Sequence, residues 1–242
     1  MSNAFRWMGR WLGVALVAAA PSLVLGQDVY IEARTHTDAV SMMGHDVPAQ
    51  DGVNRTWIGD GRIAVSDDAG GSTVIFRADQ NKMFVLFPKD KTYYESALPF
   101  QFPPEVAQMM AAVKPEVTVT PTSEAKVVNG FNTTLTKVNI KMMGQDIAMD
   151  YWVSDDLGIS AEQLRKVSQA MFVGNPMLGE LGEKLAAVEG YPVRIDTKVT
   201  AMGSTFGSWQ EVQKVEKKAA PPGTYEVPAG YTKTDRMKMG QA

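Results

Sequence analysis

The sequence predicts an α+β fold: a large curved antiparallel β-sheet with helices packed on its concave face. Three observations carry this. Two hairpins alternate apolar and polar residues almost without error, three stretches place apolar residues at helical spacing, and Cys is absent, leaving stability to a core. The plainest hairpin turns at Gly144-Gln145, where Gly supplies positive φ. That turn pairs Met142 with Ile147, Ile140 with Met149, Val138 with Tyr151 and Thr136 with Val153, all on one face. Lys137, Asn139, Lys141, Ala148, Asp150 and Trp152 take the other. Such alternation marks a sheet with one dry side and one wet side, and a one-residue slip would expose every apolar group.

The first 26 residues read as a secretory signal. Arg6 and Arg10 precede an apolar stretch from Trp11 to Leu25, broken by Pro21, with Val24 and Gly26 small enough for cleavage before Gln27. The stretch is too short and interrupted for a membrane span. No Cys is present to carry a lipid at the mature terminus, so a periplasmic or secreted protein with no span after cleavage is expected. Removing the leader leaves 22 basic against 27 acidic residues, which argues against nucleic acid as a partner.

The mature chain then unrolls in order. Residues 28 to 37 and 53 to 66 read as strands, the latter turning at Asp60-Gly61. A hairpin centred on Gln80-Asn81 gathers Val74, Phe76, Ala78, Met83, Val85 and Phe87 on one face. Ile75, Phe84 and Leu86 lie opposite with Arg77, so this hairpin is expected to be partly covered on both sides. Lys91 to Ser96 adds a strand before Pro99, Pro103 and Pro104 break the sheet. Val106, Met109, Met110 and Val113 then predict a helix over 104–113.

The sheet resumes after Pro115 and Pro121. Ser160 and Gln163 can form a capping box for a helix over 161–172, with Leu164, Val167 and Met171 on its stripe. Asn175-Pro176 starts another over 176–189, stopped by Gly190. Two last strands, Pro192 to Ala201 and Thr205 to Val215, turn at Gly203-Ser204. From Thr232 onward the chain is polar and expected to fray. The organisation is thus a signal peptide over 1–26, one domain over 27–231 and a flexible tail over 232–242. Met43-Gly44, Met143-Gly144 and Met202-Gly203 share a turn signature, read as common hairpin chemistry rather than duplication.

Catalytic signals are scarce. His36 and His45 are the only histidines, too few for an ordinary zinc site without Cys. No nucleophile elbow, phosphate loop or dinucleotide loop is present, and paired acids such as Asp67-Asp68 fall in turns. No enzyme activity, cofactor or metal is expected. Thirteen methionines remain after the leader, and Met42 with His45 is the least unfavourable soft-copper pair, but core filling is the preferred reading. On the wet face, Trp152 is expected opposite Lys137 and Trp209 opposite Lys198, as cross-strand pairs.

Several segments together resemble a known family: Trp57 to Arg62, Val74 to Asp79, Met83 to Pro88, Lys91 to Glu95, Tyr151 to Leu157, Gly190 to Val193, and Thr224 to Tyr231. They resemble the bacterial envelope family catalogued as domain of unknown function 4412, itself similar to the periplasmic lipoprotein-carrier superfamily. The resemblance implies a half-barrel sheet closed by helices, with acyl chains held on the concave face. Two readings follow. In one, a monomer binds an acyl chain, lipid or lipoprotein between the sheet residues Val74, Phe76, Val85, Ile140, Met149 and Tyr151 and the helical residues Met109, Met110 and Leu164. In the other, the interior is filled and the protein is a structural or interaction domain.

Overall fold

A computed structural model describes residues 28–42, 45–98, 116–142, 144–160, 190–201 and 204–235, with 162, 163, 184 and 188. Among these residues fourteen strands form: β1 (Val29–Thr37), β2 (Val40–Met42), β3 (His45–Val47), β4 (Gln50–Gly59), β5 (Arg62–Asp67), β6 (Ser72–Arg77) and β7 (Lys82–Phe87). They continue with β8 (Thr92–Ala97), β9 (Glu116–Val128), β10 (Phe131–Met142), β11 (Gln145–Ser154), β12 (Tyr191–Ala201), β13 (Ser204–Lys217) and β14 (Thr232–Thr234). Twelve of them make one sheet in the order β14-β8-β7-β6-β5-β4-β1-β13-β12-β11-β10-β9, and β2-β3 is a separate hairpin.

This corrects the α+β expectation. Most of the described chain is sheet, with a single 3-10 turn at Ala78–Gln80 and α-helical backbone only at the isolated residues Glu162, Gln163 and Lys184. The physical reason is that period-two alternation persists through long strands, and among the described residues the non-strand cover is an irregular C-terminal strap. The helices expected over 104–113, 161–172 and 176–189 lie outside the described residues, apart from isolated positions. Their one legible trace is the capping box. Ser160 Oγ accepts from the Gln163 N–H at 3.1 Å, and Gln163 Oε1 accepts from the Ser160 N–H at 3.0 Å.

The expected faces hold, but the pairings differ. Met142 faces Gln145, Ile140 faces Ile147, Val138 faces Met149 and Thr136 faces Tyr151, two residues away from the expected register. A shift of two preserves side-chain parity, so every inward residue stays inward. The cause is the position of glycine. Gly144 (φ 75°) is the second residue of its two-residue loop, as Gly61 (φ 64°) is in the Asp60-Gly61 turn. Likewise Ala201 faces Ser204, and Arg77 faces Lys82 across a four-residue turn in which Asn81 is left-handed.

The inner face carries the main core: Val29, Ile31, Ala33, Ile58, Ile63, Val193 and Val212, joined by Val128 and Leu157. The sheet curls strongly. Asn129, in the β9–β10 turn, donates to the Val212 carbonyl at 2.8 Å and to Glu211 at 2.9 Å. β13 is three strands from β10, roughly 14 Å across a flat sheet, so the hairpin tip must fold back to reach it.

The outer face of β4–β8 is also dry, as the two-sided pattern of β6 and β7 predicts. Ile75 is fully buried there with Ala64 and Leu86, under Ala220, Tyr225, Val227 and Tyr231. The strap of residues 219–231 is tied down at several points. The Asp28 carboxylate accepts from the Ala220 N–H at 3.0 Å, and the Arg77 guanidinium donates to the Tyr225 carbonyl at 3.1 Å. Arg62 lies 4.6 Å over the Tyr225 ring. Of the tail expected to fray, Thr232–Thr234 form β14, parallel to β8, because Lys233 reaches Glu95 at 3.2 Å and the Thr232 N–H donates to the Lys91 carbonyl.

Candidate functional site

The inner face is where β-strand parity gathers the predicted binding residues. Val74 pairs with Val85, and Phe76 with Met83, on β6 and β7. Ile140, Met149 and Tyr151 sit on β10 and β11, in a cluster with Val117, Val138, Val119, Met142 and Ile147. The structure places all six on one face but not in one cluster. β5, β4, β1, β13 and β12 separate the two groups, and Phe76 packs against the central core instead. Met109, Met110 and Leu164 lie outside the described residues.

Val85 and Ile140 are buried, while Val74, Phe76, Met149 and Tyr151 are only half-buried. Burial pushes the Tyr151 phenol up from its ordinary value, and its hydroxyl rests 3.7 Å from the Met149 sulfur. Burial also pushes Tyr191 up to about 12. Both phenols stay neutral over the physiological range, so this face carries apolar surface and uncharged hydroxyls.

Beside the β10–β11 cluster lies a cavity of about 750 Å³, lined by Val117, Thr118, Val119, Pro121, Thr134, Thr136, Val153, Lys184 and Val188. That volume falls within the ~300–1,000 Å³ of small-molecule sites. Most of this wall was missed from sequence, because Pro121 reads as a sheet breaker. β9 runs straight through it, since an edge strand tolerates a residue with no N–H to give. The bulge opposite Leu135 absorbs the irregularity, with Thr134 facing Ala125 and Thr136 facing Pro121. The alternation of Val117, Val119 and Pro121 was the available signal.

The wet face holds the charged groups. Each described tryptophan is capped by a cation, though not by the expected partner. Lys126 lies 3.6 Å over Trp152, Arg194 lies 5.2 Å over Trp209 and Lys218 lies 5.3 Å over Trp57. The two-residue register difference puts Asp150 opposite Lys137 and Gly207 opposite Lys198, removing both predicted pairs. Arg194 instead pairs with Asp196 and Glu211.

His36 stacks on Trp209 and is held by Asp51 at 2.9 Å and Asp38 at 3.3 Å. The hydrogen bond that the His36 ring donates to the Asp51 carboxylate is the leading cause that raises its pKa. Among the described residues no three His, Asp or Glu side chains converge to hold a metal ion. Among them too, no helix is long and apolar enough to cross a membrane.

Fold and site define a β-protein built on one large antiparallel sheet with an apolar inner face. The chain belongs to the family described as Domain of unknown function (DUF4412), which matches residues 61–231. That span runs from the β4–β5 turn to the end of the strap. Comparison with curated proteins gives no match. Among solved structures, one titled "Structure of PNGF-II in C2 space group" is similar at 14% identity and a TM-score of 0.40. The match covers 86% of this chain and 31% of that one. A likeness at that level carries no argument about fold or activity.

Proposed function

We propose that this is an exported, non-enzymatic protein of the cell envelope that binds a hydrophobic ligand, an acyl chain, on the inner face of its sheet. The observation that carries the reading is the cavity beside the Val117–Val138–Ile140 cluster, whose described wall includes four valines and a proline beside three threonines and Lys184. Each buried CH₂ contributes about 0.8 kcal/mol, so a partly enclosed chain binds without a charged anchor. Met142 and Met149 border the same cluster, and their flexible thioethers accommodate chains of different length. The leader-like stretch from Arg6 to Gly26 supports export, with the periplasm as the destination. The resemblance to periplasmic lipoprotein carriers supports the choice of ligand.

Native mass spectrometry of protein recovered from the periplasm of its own cells is the direct test. Co-purified lipid, released on denaturation, is the expected result. Protein that emerges from the cytoplasm, or that carries no lipid and binds none when offered micromolar fatty acid, overturns the reading.

A further inference from the structure

β1 and β4 form the base of one long hairpin that has a joint in it. Thr37 pairs with Gln50 and, three residues further, Val40 pairs with Val47, so β2 and β3 continue the same register. Between these pairs the strands are interrupted at Asp38-Ala39 on one limb and Pro48-Ala49 on the other. Pro48 has no N–H to give there. Asp38 turns instead toward β13: its N–H donates to the Gly207 carbonyl at 2.9 Å, and its carboxylate accepts from the Gly207 N–H at 2.8 Å. Gly207 permits this approach, because a Cβ at that position would lie 2.7 Å from the carboxylate. The arm beyond the joint is a two-stranded sheet of its own, and such hairpins are marginal in isolation.

His36 sits at the joint with its ring between the two limbs. Nδ1 lies 2.9 Å from Asp51 on β4, and Nε2 lies 3.3 Å from Asp38. A neutral imidazole carries one N–H and a carboxylate only accepts, so the imidazolium alone makes both contacts at once. We propose that His36 is a proton-operated clasp, which when charged fixes the β2–β3 arm at its joint and when neutral lets go of Asp38 and frees the arm. The other charged groups on this face are Arg34 on β1, Glu211 on β13, and Arg194, Asp196 and Lys198 on β12. Arg194 is engaged by Asp196 and Glu211, which leaves His36 as the cation that joins Asp38 to Asp51 among the described residues. Asp51 leads in raising the ring above 6.5, so the clasp is closed below that value and opens as pH climbs through the folded-state pKa.

The chain has no Cys, so Val47→Cys, at a position 49% exposed on the arm, gives a unique site for a nitroxide spin label. The label should tumble roughly twofold more slowly at about pH 5.5 than at about pH 8.5, as nanosecond motion of the arm sets in. The midpoint of that change should coincide with the His36 midpoint read by proton NMR, and both should fall together on Asp51→Asn. His36→Gln should abolish the response, with circular dichroism confirming the fold. His45 lies on the arm itself, so His45→Gln should leave the response intact. A label equally mobile at both pH values overturns the proposal. So does a midpoint that departs from that of His36, a response that survives His36→Gln, or one lost with His45→Gln.

Discussion

Ile75 tests the two-sided character of the sheet. On a sheet with one wet face its outward side chain would meet water, and Ile75→Ala would cost little. Here it is fully buried beneath the C-terminal strap, in one cluster with Ala64, Leu86 and Tyr225. Truncation removes about three methylene equivalents at ~0.8 kcal/mol each, and the residual cavity adds roughly 1 kcal/mol more. The expected cost is therefore about 3–4 kcal/mol. Urea unfolding followed by tryptophan fluorescence reads this as a midpoint lowered by roughly 1 M, given a slope of about 3 kcal/mol/M. Tyr225→Ala should lose part of the same energy, so the double variant should fall short of additivity by about 1 kcal/mol. A cost below 1 kcal/mol for Ile75→Ala, or full additivity with Tyr225→Ala, refutes the seating of the strap.

Three further outcomes follow from specific environments. Ile140→Asp, at a position 8% exposed, should cost several kcal/mol by burying an unpaired charge, whereas Lys141→Asp on the wet face should cost under about 1 kcal/mol; similar melting losses for both would contradict the face assignment. Tyr225→Phe should leave stability unchanged or raise it by about 1 kcal/mol, because the buried hydroxyl meets no well-formed hydrogen-bond partner among the described residues, although the Asp28 carboxylate is near; a marked loss would show that the two are bonded. His36 has a folded-state pKa raised above 6.5, so its contribution to stability is complete below that value and fades as pH climbs through the folded pKa; proton NMR should show a midpoint above 6.5 that falls on Asp51→Asn, and one at or below 6.5 contradicts the Asp51 contact.

Alternation alone made the faces legible. Ile140, Met149 and Tyr151 lie inward because parity survives a register error of two, although the partners named for them were wrong. The Asp60-Gly61 turn was placed correctly, since its glycine could be read as the second loop residue, and the same logic applied to Gly144 would have repaired the other register. Two features stayed hidden for physical reasons. The strap from Ala219 to Tyr231 has no period to detect, being rich in Pro and Gly, and only the apolar outer positions Ile75 and Leu86 pointed to a cover. β9 was obscured because a proline that would break an interior strand is tolerated at an edge. Separation of the predicted binding residues into two clusters was beyond local pattern, because it depends on which distant strands become neighbours.

The first strand lies in the middle of the sheet, between β4 and β13. Val29 pairs with Lys217 near the far end of the chain, so one flank of β1 stays open until almost every other residue is available. Closing so long a loop comes late and slowly, because its entropic cost precedes any reward from pairing. A growing chain therefore holds an incomplete sheet throughout its synthesis. Under the proposed export this delay would be useful: strand order itself would keep the chain open for passage, and the fold would close on the far side.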